Sequence, residues 1–245
     1  SSCVRKGLGQ MNLNRLYLTN NECYRVGKVM VPKGIMVHST GVNNPYLRRY
    51  VGPDDGKLGE NRYGNHWNRF RPDGRQVCVH AFIGKLADGA VATYQTLPWN
   101  YVGWHSGSGH LGKLRNANNS GFIGFEICED GLEDGEYFRA IYREAVELCA
   151  YLCRKFGLSA QDIIDHSEGH RLGIASNHAD VGHWFKRHGK DMDRFRENVS
   201  DALKPARLYG VQIGAFKSRE NAEKVLEQVK AAGFKGAFIK IEVLD

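Results

Sequence analysis

No run of eighteen apolar residues occurs in the 245-residue chain, so no membrane-spanning helix is expected. Residues 1–30 lack the succession of basic, apolar and small residues that marks a secretion signal. The stretch SSCVRKGLGQ, residues 1–10, has no periodicity and is expected to be a tag or a frayed arm outside the fold. Long repeats and low-complexity linkers are missing as well. None of the six cysteines forms a CxxC pair, which argues against a disulfide framework; Cys149 and Cys153, four apart in an apolar helical pattern, read as buried thiols.

A concentrated basic helix is also absent. The formal net charge is +7, which favours an anionic partner: nucleic acid, an anionic membrane or the acidic polymers of a bacterial wall. Lysines and arginines are scattered along the chain and not gathered on one element, which argues against nucleic acid. With 42% hydrophobic and 25% charged residues, the chain can bury one sizeable core and carry a small appendage.

The elements that are present suggest a mixed α/β (α+β) fold. GIMVHST (34–40) alternates and is β-branched, predicting a strand with His38 near its end. Residues 76–97 give two strand-like runs around an Ala-Asp-Gly turn, a hairpin. GFIGFEICE (121–129) reads as a buried strand that ends in acidic residues, which singles out Glu126. Apolar positions recur at three and four from Glu136 to Phe156, with Gly157 as a stop. A further helix over 191–203 meets Pro205, placing a domain boundary near residue 204. The tail, 205–245, reads as strand, helix, strand, with Ser218 and Gly233 bounding the helix.

DHSEGHRLGIASNHADVGHW (165–184) holds four histidines. His166 and His170 stand at helical spacing, but Gly169 and Gly173 favour a loop over a continuous helix. His38, His166 and Asp180 form a metal-ligand set only if the fold brings them together.

These segments resemble, in family order, the motifs of the type-2 N-acetylmuramoyl-L-alanine amidases, a family that includes peptidoglycan recognition proteins. They are IMVHST, CVHAFIG, DGAVATYQ, GWHSG, NNSGFIGFEI, DHSEGH and HADVGHWF, spread over roughly residues 12–204, and the likeness is strongest to endolysin-type members of clostridia and their phages. The resemblance implies a mixed central sheet flanked by helices, and Zn2+ held by His38, His166 and Asp180 with a fourth position open to water. It implies Glu126 as the acid/base group and His178, where relatives carry lysine, as a donor to the oxyanion. Trp104 and His105 are implied near the bound sugar or peptide stem, although Trp104 reads equally well as core. Val79 stands where another branch has tyrosine, and His80 reads as a packed hairpin histidine. His66, His110, His170, His183 and His188 are not expected to be ligands.

The tail resembles half of a SPOR module, implying a βαβ piece that binds wall glycan, docks on the main domain or self-associates with a second copy. The implied activity is cleavage of the bond between N-acetylmuramic acid and L-alanine in bacterial peptidoglycan, by an endolysin or autolysin working at the cell wall. A non-catalytic peptidoglycan-binding module and an amidase of soluble muropeptides stay open as alternatives.

Overall fold

The structure, a computed structural model, describes residues 11–205 and 210–243; the expected arm at 1–10 lies outside them. The described chain forms two compact units, the second beginning at Pro205.

The first unit is built on a six-stranded mixed sheet in the order β1-β4-β3-β5-β2-β6. Its strands are β1 (Leu13–Arg15), β2 (Gly34–Ser39), β3 (Ala81–Lys85), β4 (Val91–Gln95), β5 (Phe122–Ile127) and β6 (Ile163–Asp165). Only the β3–β4 hairpin pairs antiparallel. The parallel centre explains why β2 and β5 are buried along nearly their whole length, since both faces of such strands are covered.

Alternation along the strands decides which layer each face meets. Ile35 and Val37 of β2, Ile123, Phe125 and Ile127 of β5, and Ala81 and Ile83 of β3 join one apolar cluster. That cluster is completed by α2 (Gly135–Phe156), α4 (Val181–Arg187) and α5 (Met192–Leu203). Phe82 points to the opposite face and packs with Leu47, Tyr50, Leu58 and Trp67 from the long connection between β2 and β3. His38 and Glu126 lie in register with each other and with Phe82, so they share that second face. A buried large apolar side chain contributes about 1.5–3 kcal/mol, and helix α2 alone inserts Phe138, Ile141, Leu148 and Leu152 into the first cluster. The sheet is therefore a stiff support for the polar residues at its edge.

Helix α2 starts on Asp134, whose carboxylate accepts from the backbone N–H groups of Glu136 and Tyr137, and stops at Gly157 in the left-handed conformation (φ 67°). Helix α5 runs to Leu203, just before Pro205.

Three expectations need correction. First, Cys23 and Cys78 form a disulfide across 55 residues. Spacing could not reveal it, because the fold itself carries α1 (Glu22–Val26) against the segment preceding β3; Cys128, Cys149 and Cys153 are buried free thiols. Second, residues His166–Arg171 form a short helix, α3, despite Gly169. Asp165 caps it in a reciprocal box with Glu168, and Gly169 packs against Ala175 and the flexible end of Met36, where a Cβ would come within 3.1 and 2.7 Å. Third, the tail contains α6 (Arg219–Ala231), with Gly233 following at φ 103°, but its two flanking segments form no strand among the described residues. Their alternating Val211 and Ile213, and Ile239, Ile241 and Val243, carry the side-chain pattern of strands, yet these residues are exposed and the described backbone makes no ladder.

No helix among the described residues is long and apolar enough to cross a membrane.

Candidate metal centre and active site

Three backbone elements bring the donors together. His38 stands near the end of β2, and His166 opens α3 directly after β6, the neighbour of β2. Asp180 precedes the first residue of α4 with φ 36°, a conformation costly for any residue with a side chain. The cost is consistent with a carboxylate held in place by its contacts.

His38 Nδ1 and His166 Nδ1 each lie 2.8 Å from Asp180 Oδ2, and 3.0 Å from one another. Such a small triangle of two imidazole nitrogens and one carboxylate oxygen accommodates a single cation at roughly 2.0–2.2 Å from each donor, the spacing of zinc sites. Burial pushes the His38 imidazole below its usual range, which favours the neutral, ligating form. Burial acts on Asp180 in the opposite sense, but hydrogen bonds from His166 and His38 outweigh it and hold the carboxyl well below the usual carboxylate range. A neutral His38 beside an ionised Asp180 is the protonation pattern that a zinc ion needs. The residues fit the ion.

Glu126 is the cross-strand partner of His38 and is half-buried, with Oε2 shut off from solvent and lacking any hydrogen-bond partner. Burial, reinforced by the charges of Asp180 and Glu129, raises its carboxyl well above the usual range. An orphaned buried carboxyl is costly to stability and thus points to function. His178 is exposed, its ring 4.8 Å from that of His166 and its Nδ1 3.0 Å from Ser176 Oγ.

His105 is placed differently from the expectation. It is buried beneath His38, with Nδ1 3.0 Å from His38 Nε2 and Nε2 3.0 Å from the Phe122 carbonyl, so neither ring nitrogen is free for a sugar or peptide. The buried ring sits where Gly124 of β5 leaves room that a Cβ would fill. Trp104 is half-buried against two apolar clusters and bridges to Cys78. Its packing favours the core role.

Four further histidines have other partners. His170 Nδ1 faces the Ala175 carbonyl, His183 Nε2 faces Glu129, and His188 donates to the Leu132 carbonyl while stacking on Phe138. His80 bridges Tyr101 and Gly124 in the hairpin, and burial brings its pKa down to about 4. Among the described residues, only His38, His166 and Asp180 form a cluster able to hold a metal. Sequence reasoning missed Ser106, Asn118, Ser176 and Glu129. Small polar residues carry no periodic signal, and their partners are distant in sequence.

Residues 28–183 match the model of the family described as N-acetylmuramoyl-L-alanine amidase, and residues 204–242 match that of the SPOR domain. A curated relative, the probable N-acetylmuramoyl-L-alanine amidase of Bacillus licheniformis, is 25% identical over 179 residues; the match covers 72% of this chain but 43% of that protein. A mutant endolysin from Bacillus subtilis aligns at TM-score 0.51 and 24% identity, over 78% of this chain and 99% of its own. The hydrolase AmiA of Staphylococcus aureus, solved with its ligand, aligns at TM-score 0.51 and 19% identity, over 79% and 83%. At these identities the two structures establish a common fold.

Proposed function

We propose, on the premise that this chain belongs to the N-acetylmuramoyl-L-alanine amidase family, that it is a zinc-dependent hydrolase of bacterial peptidoglycan, cutting the amide between the lactyl group of N-acetylmuramic acid and L-alanine. The observation that carries the reading is Glu126: a buried, unpartnered carboxyl in register with His38, beside a three-donor cluster.

His38, His166 and Asp180 would hold zinc, which when bound supplies Lewis-acid polarisation of the amide carbonyl and activates water near neutral pH. Glu126, as carboxylate, takes a proton from the attacking water as the new C–O bond forms. His178 stands beside the cluster and donates a hydrogen bond to the oxygen that gains negative charge. Glu126 then delivers its proton to the alanine nitrogen, the C–N bond breaks, and a lactyl carboxylate and a free amine result. Water is consumed and no other reactant is needed.

Digestion of purified sacculi tests this reading. Mass spectrometry of the products is expected to find intact glycan with free lactyl carboxyls and stem peptides with new alanine amino termini. Chelator should stop the reaction and added zinc restore it. Release of reducing sugar without new amino groups, or no hydrolysis at all by zinc-loaded protein, would refute it; hydrolysis of soluble muropeptides but not of sacculi would favour the alternative substrate.

His178→Ala is expected to lose roughly a hundred- to a thousandfold in turnover, the usual effect of removing one oxyanion donor, while its zinc content stays at wild type. Full turnover in that variant would return His178 to a plain loop residue.

The net charge of +7 suits acidic wall polymers, and attraction of this kind weakens with salt. The SPOR match over 204–242 supports a tail that keeps the enzyme at the wall, in an endolysin or autolysin. Pairing of two tails is a second use for their exposed apolar residues.

A further inference from the structure

We propose that His105 is a positioning residue that fixes His38 in the one tautomer able to present Nδ1 to a metal, making the WHSG segment the clamp behind the metal centre and not a substrate surface. The inference rests on the zinc reading above.

The chain of hydrogen bonds determines where each proton lies. The Phe122 carbonyl can only accept, so His105 Nε2, 3.0 Å away, carries a hydrogen. Enclosed in the fold, with its single hydrogen committed to that carbonyl, the His105 imidazole offers the lone pair of Nδ1. That lone pair lies 3.0 Å from His38 Nε2, and when a metal takes Nδ1 this nitrogen carries the hydrogen that the lone pair accepts. In the metal-loaded site the remaining lone pair of His38 is on Nδ1, the atom that faces Asp180 and His166. With the opposite tautomer of His38, two lone pairs would meet at Nε2 and a hydrogen would occupy the metal position.

The strap that carries His105 is itself pinned. The backbone N–H groups of His105 and Ser106 both donate to Asn118 Oδ1, at 3.1 and 3.0 Å. The neighbouring residue also serves the second histidine: His166 Nε2 lies 3.2 Å from Ser176 Oγ, which donates to the Ser106 carbonyl at 3.2 Å. Two consecutive residues of one loop thus stand behind both imidazoles. Outer partners of this type typically account for ten- to a hundredfold in metal affinity.

The test combines spectroscopy with two substitutions. In 15N NMR of the imidazoles, His38 is expected to be protonated on Nε2 in zinc-loaded wild-type protein; a hydrogen on Nδ1, or zinc on Nε2, would overturn the proposal. In chelator competition, His105→Phe should weaken zinc binding roughly ten- to a hundredfold. His105→Gln, whose amide can accept from His38 and donate to Phe122, should stay near wild type. Unchanged zinc affinity in His105→Phe together with a raised KM would instead assign His105 to substrate. Should His105→Phe fail to fold, the wild-type spectra still decide. A wild-type protein that binds no zinc would sink the zinc reading, whereas zinc held equally tightly by wild type and His105→Phe would sink the clamp alone.

Discussion

His38→Ala and His166→Ala are each expected to lose both bound zinc and hydrolysis of sacculi, whereas His170→Ala keeps both. Each of the first two substitutions removes one corner of a triangle whose edges are only 2.8–3.0 Å. Two protein donors would remain, and the loss should exceed the ten- to hundredfold effect typical of an outer partner. Asp180 would also lose one of the two hydrogen bonds that hold it ionised, so the damage spreads to a second donor. His170 sits four residues after His166 in α3 but is exposed and turned to the Ala175 carbonyl, 3.2 Å away. Elemental analysis of the dialysed variants reads the result directly. Stoichiometric zinc in His166→Ala would remove His166 from the site, and loss of zinc in His170→Ala would show that helical spacing had been the better guide.

The contrast between His166 and His170 also shows what the sequence made legible. Period-two alternation in GIMVHST gave β2 and the place of His38, because a half-turn error would have sent the imidazole into the cluster of Ile35 and Val37. The acidic end of the 121–129 strand drew attention to Glu126 because a carboxyl breaks a run that burial should keep apolar. Asp180 could be reached only through family likeness, since a residue at φ 36° in a loop has no local pattern. His105 was placed near the substrate by the family likeness of GWHSG. Its burial depends on Gly124, a residue of another strand. The disulfide and the unpaired tail segments share this cause: both concern pairing between distant backbone segments, which composition and periodicity do not encode.

Glu126→Gln should retain zinc and lose about a hundred- to ten-thousandfold in turnover, the range of general acid–base catalysis. Glutamine has nearly the same shape, so the core around Phe82 and Phe125 should survive, and Glu126 is not among the metal donors. What disappears is the group that accepts the water proton and passes it to the amine. The pH profile separates this role from a packing defect. The wild-type reaction needs ionised Glu126, so its rate climbs as pH rises through the pKa of that carboxyl, which burial, Asp180 and Glu129 hold above the usual glutamate range. A bound dication opposes the Asp180 contribution, but burial and Glu129 persist. The acid limb is therefore expected above the range of an ordinary carboxylate, and Glu129→Gln should move it toward lower pH, because one neighbouring negative charge is gone. The residual rate of Glu126→Gln should lack the limb altogether. A wild-type limb at ordinary carboxylate pH that Glu129→Gln leaves in place, or near-normal turnover in Glu126→Gln, would show that the buried carboxyl is not the proton carrier and would pass that task to another group at the cleft.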